Sequence, residues 1–291
     1  MIEVKQVSKK FTNQTILNQI DFSVDAGEIV GILGKNGAGK STLIRMILGE
    51  LQPNSGEILL FDEKKVTSKL KEKIGVLLQE SICLPSLTVK ESLMLFQTYY
   101  TNYYAVEELL ELVHLSQHAK KMCHELSGGQ LRRLNFAYAI VGKPQLLILD
   151  EPTVGMDFQL REELWAYIRK LSAAGTTVVL TTHHVEEVEA LCGRVIFLKE
   201  GTIAHDGSLK SLKNRYEKSW ISIDKYKGEL PELKNVTEIT VQKDKLLLNS
   251  SNLDALIYEL VEKKVEFKHL ETQHTTFLDV YRDLMEDKAD E

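Results

Sequence analysis

Residues 34–41 read Gly34-Lys35-Asn36-Gly37-Ala38-Gly39-Lys40-Ser41 and fit the pattern G-x-x-x-x-G-K-[ST], which few folds can accommodate. The loop follows the apolar run 28–33, which reads as a strand, and opens a helical pattern at Thr42–Leu48. Strand, glycine loop and helix in that order make a phosphate cradle. The glycines let the backbone close around an anion, and the helix N-terminus supplies N–H donors with a favourable dipole. Lys40 is expected to reach the β- and γ-phosphates of a nucleotide, and the Ser41 hydroxyl to ligate Mg²⁺. Thr42 adds a contact to the α-phosphate.

The surrounding pattern supplies the sheet such a loop needs. Residues 2–7, 15–24, 56–61 and 74–79 read as strands. From Thr88 to about Val113 the periodicity turns helical, which makes a helical insert of about 85–140 once the helix at 129–141 is included. Strands at 146–150, 177–181 and 194–198 then alternate with helices at 158–173 and 185–192. Alternation of this kind implies an α/β fold with a largely parallel sheet covered on both faces. A hairpin arm at 201–207 and a helix at 208–216 close this part.

Beyond Trp220 the texture changes to short alternating strands, a helix at 253–264, a strand at 265–270 and a final helix. The expected organisation is therefore a nucleotide-binding domain over 1–217 and a small α+β domain over 218–291.

Composition restricts the partners. The net charge of −6 argues against nucleic acid, which calls for a basic surface. No apolar run approaches the ~20 residues that span a bilayer, and the first residues lack the apolar core of a signal peptide. A membrane role is then expected to be peripheral, through a partner. The three cysteines, Cys83, Cys123 and Cys192, are scattered without metal-ligand spacing and read as buried or unremarkable thiols of a reducing compartment.

Three further segments carry chemistry. Leu146–Pro152, LLILDEP, is a buried strand ending in two acids. Asp150 suits the Mg²⁺ partner of the loop, and Glu151 is placed to polarise an attacking water. His183, in TTHH after the next apolar strand, lies at the edge where such sheets bind ligands and is preferred to His184 as a γ-phosphate sensor. Gln79 ends another strand, where a neutral amide reaches metal or water. Finally, Ser127-Gly128-Gly129 opens a helix and offers N–H groups to an anion, a second cradle in one domain.

The glycine loop, Gln79, Leu126-Ser127-Gly128-Gly129-Gln130, the LILDE strand and TTH, in that order over roughly 1–217, resemble the ATP-binding cassette family of ABC transporters. The resemblance implies a P-loop NTPase cassette with an antiparallel β subdomain, cofactors ATP and Mg²⁺, and a head-to-tail dimer of identical or related chains. In that dimer Ser127, Gly128, Gly129 and Gln130 of one copy cap the ATP held on the other copy's loop, which explains two cradles. It implies that Phe11 stacks on adenine where a tyrosine is usual, and that Gln79 couples to a transmembrane permease. Asp157, in Val154-Gly155-Met156-Asp157, matches the D-loop, with valine in place of the usual small residue. A cassette of this kind resembles the separate ATPase subunit of a transporter, held at the cytoplasmic face of the membrane by its permease. The helical insert, with YYTNYY at 99–104, is where the family docks that permease. The ending HLETQHTTFLDVYRDLMED resembles exporter cassettes of the ABC-2 class. The alternative is a soluble cassette acting in iron–sulfur assembly or on ribosomes.

Overall fold

A computed structural model describes the chain except residues 13, 216–218, 225–229, 243–244, 251, 266, 275 and 286–291. Two compact units result, Met1–Leu209 and Lys210–Glu291. The division falls before the expected boundary at 217, because α8 (Leu209–Arg215), apart from its first residue, groups with the second unit.

The first unit begins with β1 (Ile2–Phe11), β2 (Gln14–Val24) and β3 (Ile29–Leu33), then α1 (Lys40–Ile47), β4 (Ser55–Leu60), the single turn α2 (Ser68–Lys71) and β5 (Ile74–Leu77). Strands β1, β2 and β4 form an antiparallel sheet in the order β2-β1-β4, with buried residues alternating along the second half of β2. The insert contributes α3 (Val89–Gln97), α4 (Val106–Leu112) and α5 (Gly128–Ile140), with 3₁₀ turns at Ser116–His118 and Cys123–Glu125 that the periodicity does not reveal. There follow β6 (Leu146–Asp150), α6 (Phe158–Ala173), β7 (Thr177–Thr181), α7 (Val185–Leu191), β8 (Arg194–Lys199) and β9 (Thr202–Ser208).

The second sheet runs β5-β6-β7-β3-β8-β9, parallel except for the β8–β9 hairpin. Its central strands are apolar runs buried on both faces, as a covered parallel sheet requires. One core joins β1 and β2, the central strands and the apolar face of α1, and so fixes the glycine loop between two packed layers. The lysine-rich run 64–73, read as a solvated face, does expose most of its lysines, but Leu70 turns inward into that core.

In the second unit, β10 (Ser219–Asp224), β11 (Glu238–Gln242), β12 (Lys245–Ser250) and β13 (Lys268–His274) make an antiparallel sheet in the order β11-β12-β10-β13. Ile221, Ile223, Leu246 and Leu248 pack with Leu256 and Leu260 of α9 (Leu253–Glu262), and α10 (Phe277–Met285) ends the described chain. The strand expected at 265–270 starts instead at Lys268, because Val265 is buried in the core with α9 rather than paired in the ladder. Residue 216, expected to end α8, lies outside the described residues.

Candidate nucleotide site

Strands β6, β7 and β3 end side by side, with Asp150 opposite Thr181 and Thr181 opposite Ile32. Everything that leaves this edge converges. The glycine loop leaves β3, Asp150 and Glu151 leave β6, and His183 leaves β7.

Two glycines of the loop are there for shape. Gly34 has φ 149°, and a Cβ on it would sit 2.3 Å from the Leu198 carbonyl oxygen. Gly39 has φ 103°, and a Cβ would strike Leu17 at 2.6 Å. Gly39 is also the N-cap of α1, and no side chain bonds the first N–H groups of the helix, so these donors are left for an anion. Lys40 turns back over the loop, donating to the carbonyls of Gly34 (2.7 Å) and Lys35 (3.1 Å). Burial pushes its amine's pKa down, while Glu151 and Asp150 pull it back up. Lys35, Asn36, Gly37 and Ser41 are exposed, Thr42 is half-buried and Ala38 is buried against the core.

Asp150 is buried and accepts the Thr181 hydroxyl through Oδ1. Glu151 adopts φ 52°, a left-handed conformation that costs a side-chain-bearing residue about 1–2 kcal/mol. It persists because the Glu151 N–H donates to Thr181 O (2.9 Å) and the carbonyls of Asp150 and Glu151 both accept from Arg132. The result is a half-buried carboxylate at the strand exit. Its Oε1 meets His183 Nδ1 at 2.8 Å, and its Oε2 is buried with no hydrogen-bond partner. Strain and an unused acceptor in one residue point to function.

The His184 ring lies 4.2 Å from that of His183, and the potential ligand atoms of Glu151, His183 and His184 all fall within 4.8 Å of one another. It is His183 that touches Glu151. His184 is instead the first residue of the turn into α7, its N–H on the Thr182 hydroxyl.

Gln79 does not end its strand. Strand β5 stops at Leu77, and Gln79 is exposed beyond it because the chain leaves the sheet where Leu78 turns outward. Oxygen donors alone, from Ser41, Asp150 and Gln79, suit a hard cation such as Mg²⁺. Phe11 ends β1 exposed, with the Lys9 amine 5.2 Å from its ring centroid.

The second cradle is built differently. Ser127 is the N-cap of α5, and its hydroxyl accepts from Gln130 N (3.3 Å) while Gln130 Oε1 accepts from Ser127 N (3.0 Å). The Gln130 side chain is thus spent on the cap and on His118 (3.1 Å). Ser127 and Gly128 are exposed, whereas a Cβ on Gly129 would meet the Gly155 carbonyl at 2.7 Å. Asp157 caps α6 by accepting from Leu160 N (3.0 Å).

Arg132, Thr181 and Glu187 escaped the reading of the sequence. Adjacent arginines inside the otherwise apolar GGQLRRLNFAYAI are the signal that would have found the first.

Comparison with known proteins points to one family. The family model described as "ABC transporter" matches residues 17–154, and one described as "AAA domain, putative AbiEii toxin, Type IV TA system" matches 123–189. The Nod factor export ATP-binding protein I of Burkholderia lata is 39% identical over 219 residues, 72% of each chain. Its namesake from Bradyrhizobium diazoefficiens is 38% identical over 243 residues, 81% of this chain and 79% of that one. The linearmycin resistance ATP-binding protein LnrL of Bacillus subtilis is 39% identical over 74% of this chain and 71% of its own. Among solved structures, an ATP-binding subunit of an ABC transporter superposes with TM-score 0.69 at 27% identity, over 74% of this chain and 93% of that one. A dimeric ATP-binding cassette in a post-hydrolysis state, bound to ADP and Pi, gives 0.66 at 28%, over 72% and 99%.

Proposed function

The chain belongs to the ABC transporter ATP-binding family and is an ATPase of that class, and from that premise we propose that it drives an exporter whose permease is a separate membrane-spanning chain. The observation that carries the proposal is an apolar groove of about 320 Å³ beside the Gln79 segment. Leu78, Ile82, Phe96, Tyr100 and Tyr138 line it, and Leu95 and Tyr99 stand exposed on the same helix and turn. A groove of this kind takes an amphipathic segment of a partner. No helix among the described residues is long and apolar enough to cross a membrane, so the membrane-crossing part falls to that partner. The outward direction is supported by relatives named for export and for resistance. The working place is then the cytoplasmic face of the membrane.

Hydrolysis follows from the edge described above. Lys40 and the N–H groups at the start of α1 bind the phosphates. Mg²⁺ held by Ser41, Asp150 and Gln79 would offset phosphate charge and polarise the γ-phosphoryl group. Glu151 takes the proton of the attacking water, and His183, 2.8 Å from its Oε1, orients the carboxylate and faces the γ-phosphate. Exposed Ser127 and Gly128 cap the ATP of a second copy in a head-to-tail dimer, as the dimeric form of the related cassette supports. Phe11 gives adenine an aromatic surface.

The test is affinity capture of tagged Glu151→Gln chain from detergent-solubilised native membranes with ATP and Mg²⁺. Co-purification of one polytopic membrane protein is the expected result, and its reconstitution with active chain is expected to expel cargo from the ATP side. Capture of ribosomes or soluble partners alone would overturn the reading.

A further inference from the structure

Two segments leave the six-stranded sheet at the site, and both are held by α5. Residues 78–82 leave β5, with Leu78, Glu80 and Ile82 lining the groove, and residues 150–151 leave β6 and carry the carboxylates. Asn135 grips the first segment: its Oδ1 accepts from Ile82 N (2.7 Å) and its Nδ2 donates to Ile82 O (3.0 Å). One turn earlier, Arg132 divides its guanidinium between the two. Nη1 donates to the carbonyls of Leu78 (2.5 Å) and Gln79 (3.3 Å), and Nη2 to those of Asp150 and Glu151 (2.7 Å). Arg132 is 4% exposed, so these four carbonyls are what replaces its water. A planar fork of fixed geometry imposes distance as well as direction on what it holds, which a flexible ammonium does not.

The grip matters most at Glu151. Its backbone sits in the left-handed region, and the carbonyls on both sides of that strained residue are the ones Arg132 holds. Without the guanidinium the peptide is free to relax and re-aim the carboxylate. We propose that Arg132 is a positioning residue for hydrolysis, locking the groove-lining segment and the backbone of Glu151 together so that neither moves alone. Whatever seats in the groove and shifts Leu78 or Gln79 then shifts the aim of the general base. The inference rests on the assignment of that base to Glu151.

The test uses the purified full-length chain with ATP and Mg²⁺ and needs no permease. Arg132→Gln is expected to lower kcat about 10²-fold, the size of effect that follows a small misplacement of a catalytic group. KM for ATP stays within about twofold, because Lys40 and the glycine loop are untouched. Hydrogen exchange read by mass spectrometry is expected to quicken in both 78–82 and 150–153. Arg132→Lys, whose single ammonium serves one exit at a time, recovers part of kcat. Arg133→Gln is the control. Its guanidinium holds the Val113 (3.0 Å) and His114 (3.2 Å) carbonyls from the same helix, so it loosens 113–115 and keeps kcat within about twofold.

Parental kcat in Arg132→Gln, a raised KM at unchanged kcat, or loosening of one exit alone would each overturn the proposal. If Arg132→Gln does not fold, Arg132→Lys decides: a lowered kcat at parental KM supports the lock, and parental kinetics overturn it. Glu151→Gln measured alongside separates the premise from the inference. Persisting turnover there removes the base assignment, whereas a dead Glu151→Gln beside a fully active Arg132→Gln overturns the lock alone.

Discussion

Glu187 and Glu259 are both buried glutamates on helices, at 0% and 7% exposure, and their surroundings treat them in opposite ways. Glu187 lies in the first unit, behind the hydrolytic edge. Its Oε1 takes the Trp165 indole N–H (3.0 Å), while Oε2 has no partner at hydrogen-bond geometry, and burial pushes its pKa up. Glu259 lies in the second unit and is saturated. It accepts from Lys234 N (2.7 Å), Asn235 N (3.0 Å) and Asn235 Nδ2 (2.8 Å), with the Lys263 amine at 3.3 Å. Those donors, the Lys234 N–H first, hold its pKa down at about 2. The same chemistry is left open in one unit and closed in the other. Around the edge, Glu151 Oε2 has no hydrogen-bond partner and Glu151 is strained, and the Thr182, Trp165 and Thr153 side chains by Glu187 only partly offset the cost of its burial. A region that must rearrange around a ligand keeps acceptors in reserve at a cost in stability, and a region without that task does not.

The sharpest way to break this contrast is Glu151→Gly. If the strain is the cost of aiming a base, removing side chain and strain together separates function from stability. Turnover is expected to fall about 10²–10⁴-fold, the usual worth of a general base. Thermal unfolding is expected to show a gain of roughly 1 kcal/mol, because glycine tolerates the left-handed backbone. A variant that is both dead and less stable would mean that the His183 contact outweighs the strain.

Ser127 tests a cradle that stands between the two extremes, exposed but already capped. Ser127→Asp keeps an N-cap acceptor, so its melting stays within a few tenths of a kcal/mol of the parent's. Ser127→Ala loses the cap and about 1 kcal/mol. In a Glu151→Gln background, light scattering should show ATP-driven dimers weakened far more by the aspartate, whose charge opposes phosphate, than by the alanine. Equal weakening would mean that the cradle acts by helix stability alone.

How much of this was legible depended on whether a group's partner was local. The glycine loop, the LILD strand and the TTH edge combine short-range pattern with chemistry, and the sheet order then brings Asp150, Thr181 and the loop together. The capping of α5 by Ser127 and Gln130 is likewise written within one turn. Arg132 was invisible because its partners are backbone carbonyls of distant segments, which any residue type supplies. Gln79 read as a strand end because apolar Leu78 extends the β5 pattern, whereas its exposure belongs to the groove. The start of β13 was misplaced for a related reason. Val265 is as apolar as a strand residue but serves the core under α9.

The two glutamates give the smaller effects, with opposite signs. For Glu187 the folded pKa lies above its ordinary value of 4.5, so between the two the native state holds a proton that the unfolded chain has released. Its stability contribution is therefore full below about 4.5 and lost as pH rises through the folded pKa. Glu187→Gln keeps an acceptor for Trp165 and cannot ionise. Unfolding read by Trp165 fluorescence in a Trp220→Phe background should show the variant level with the parent in acid and more stable at neutral pH.

For Glu259 the folded value of about 2 lies below 4.5, so its contribution is present above 4.5 and lost as pH falls towards 2. Glu259→Gln can still accept through one oxygen, but its amide nitrogen faces donors where the carboxylate faced only partners. Trp220, whose indole N–H bonds Gln273 at 2.7 Å, reports the second unit once Trp165 is replaced by Phe. The variant should unfold more easily than the parent at neutral pH, and the gap should close as pH falls from 4.5 towards 2, where the unfolded parent chain takes up a proton that its native carboxylate does not yet hold. A gap that persists unchanged into acid would mean that geometry rather than charge is what the second unit satisfies. The two units would then differ in packing and not in how they treat a buried carboxylate.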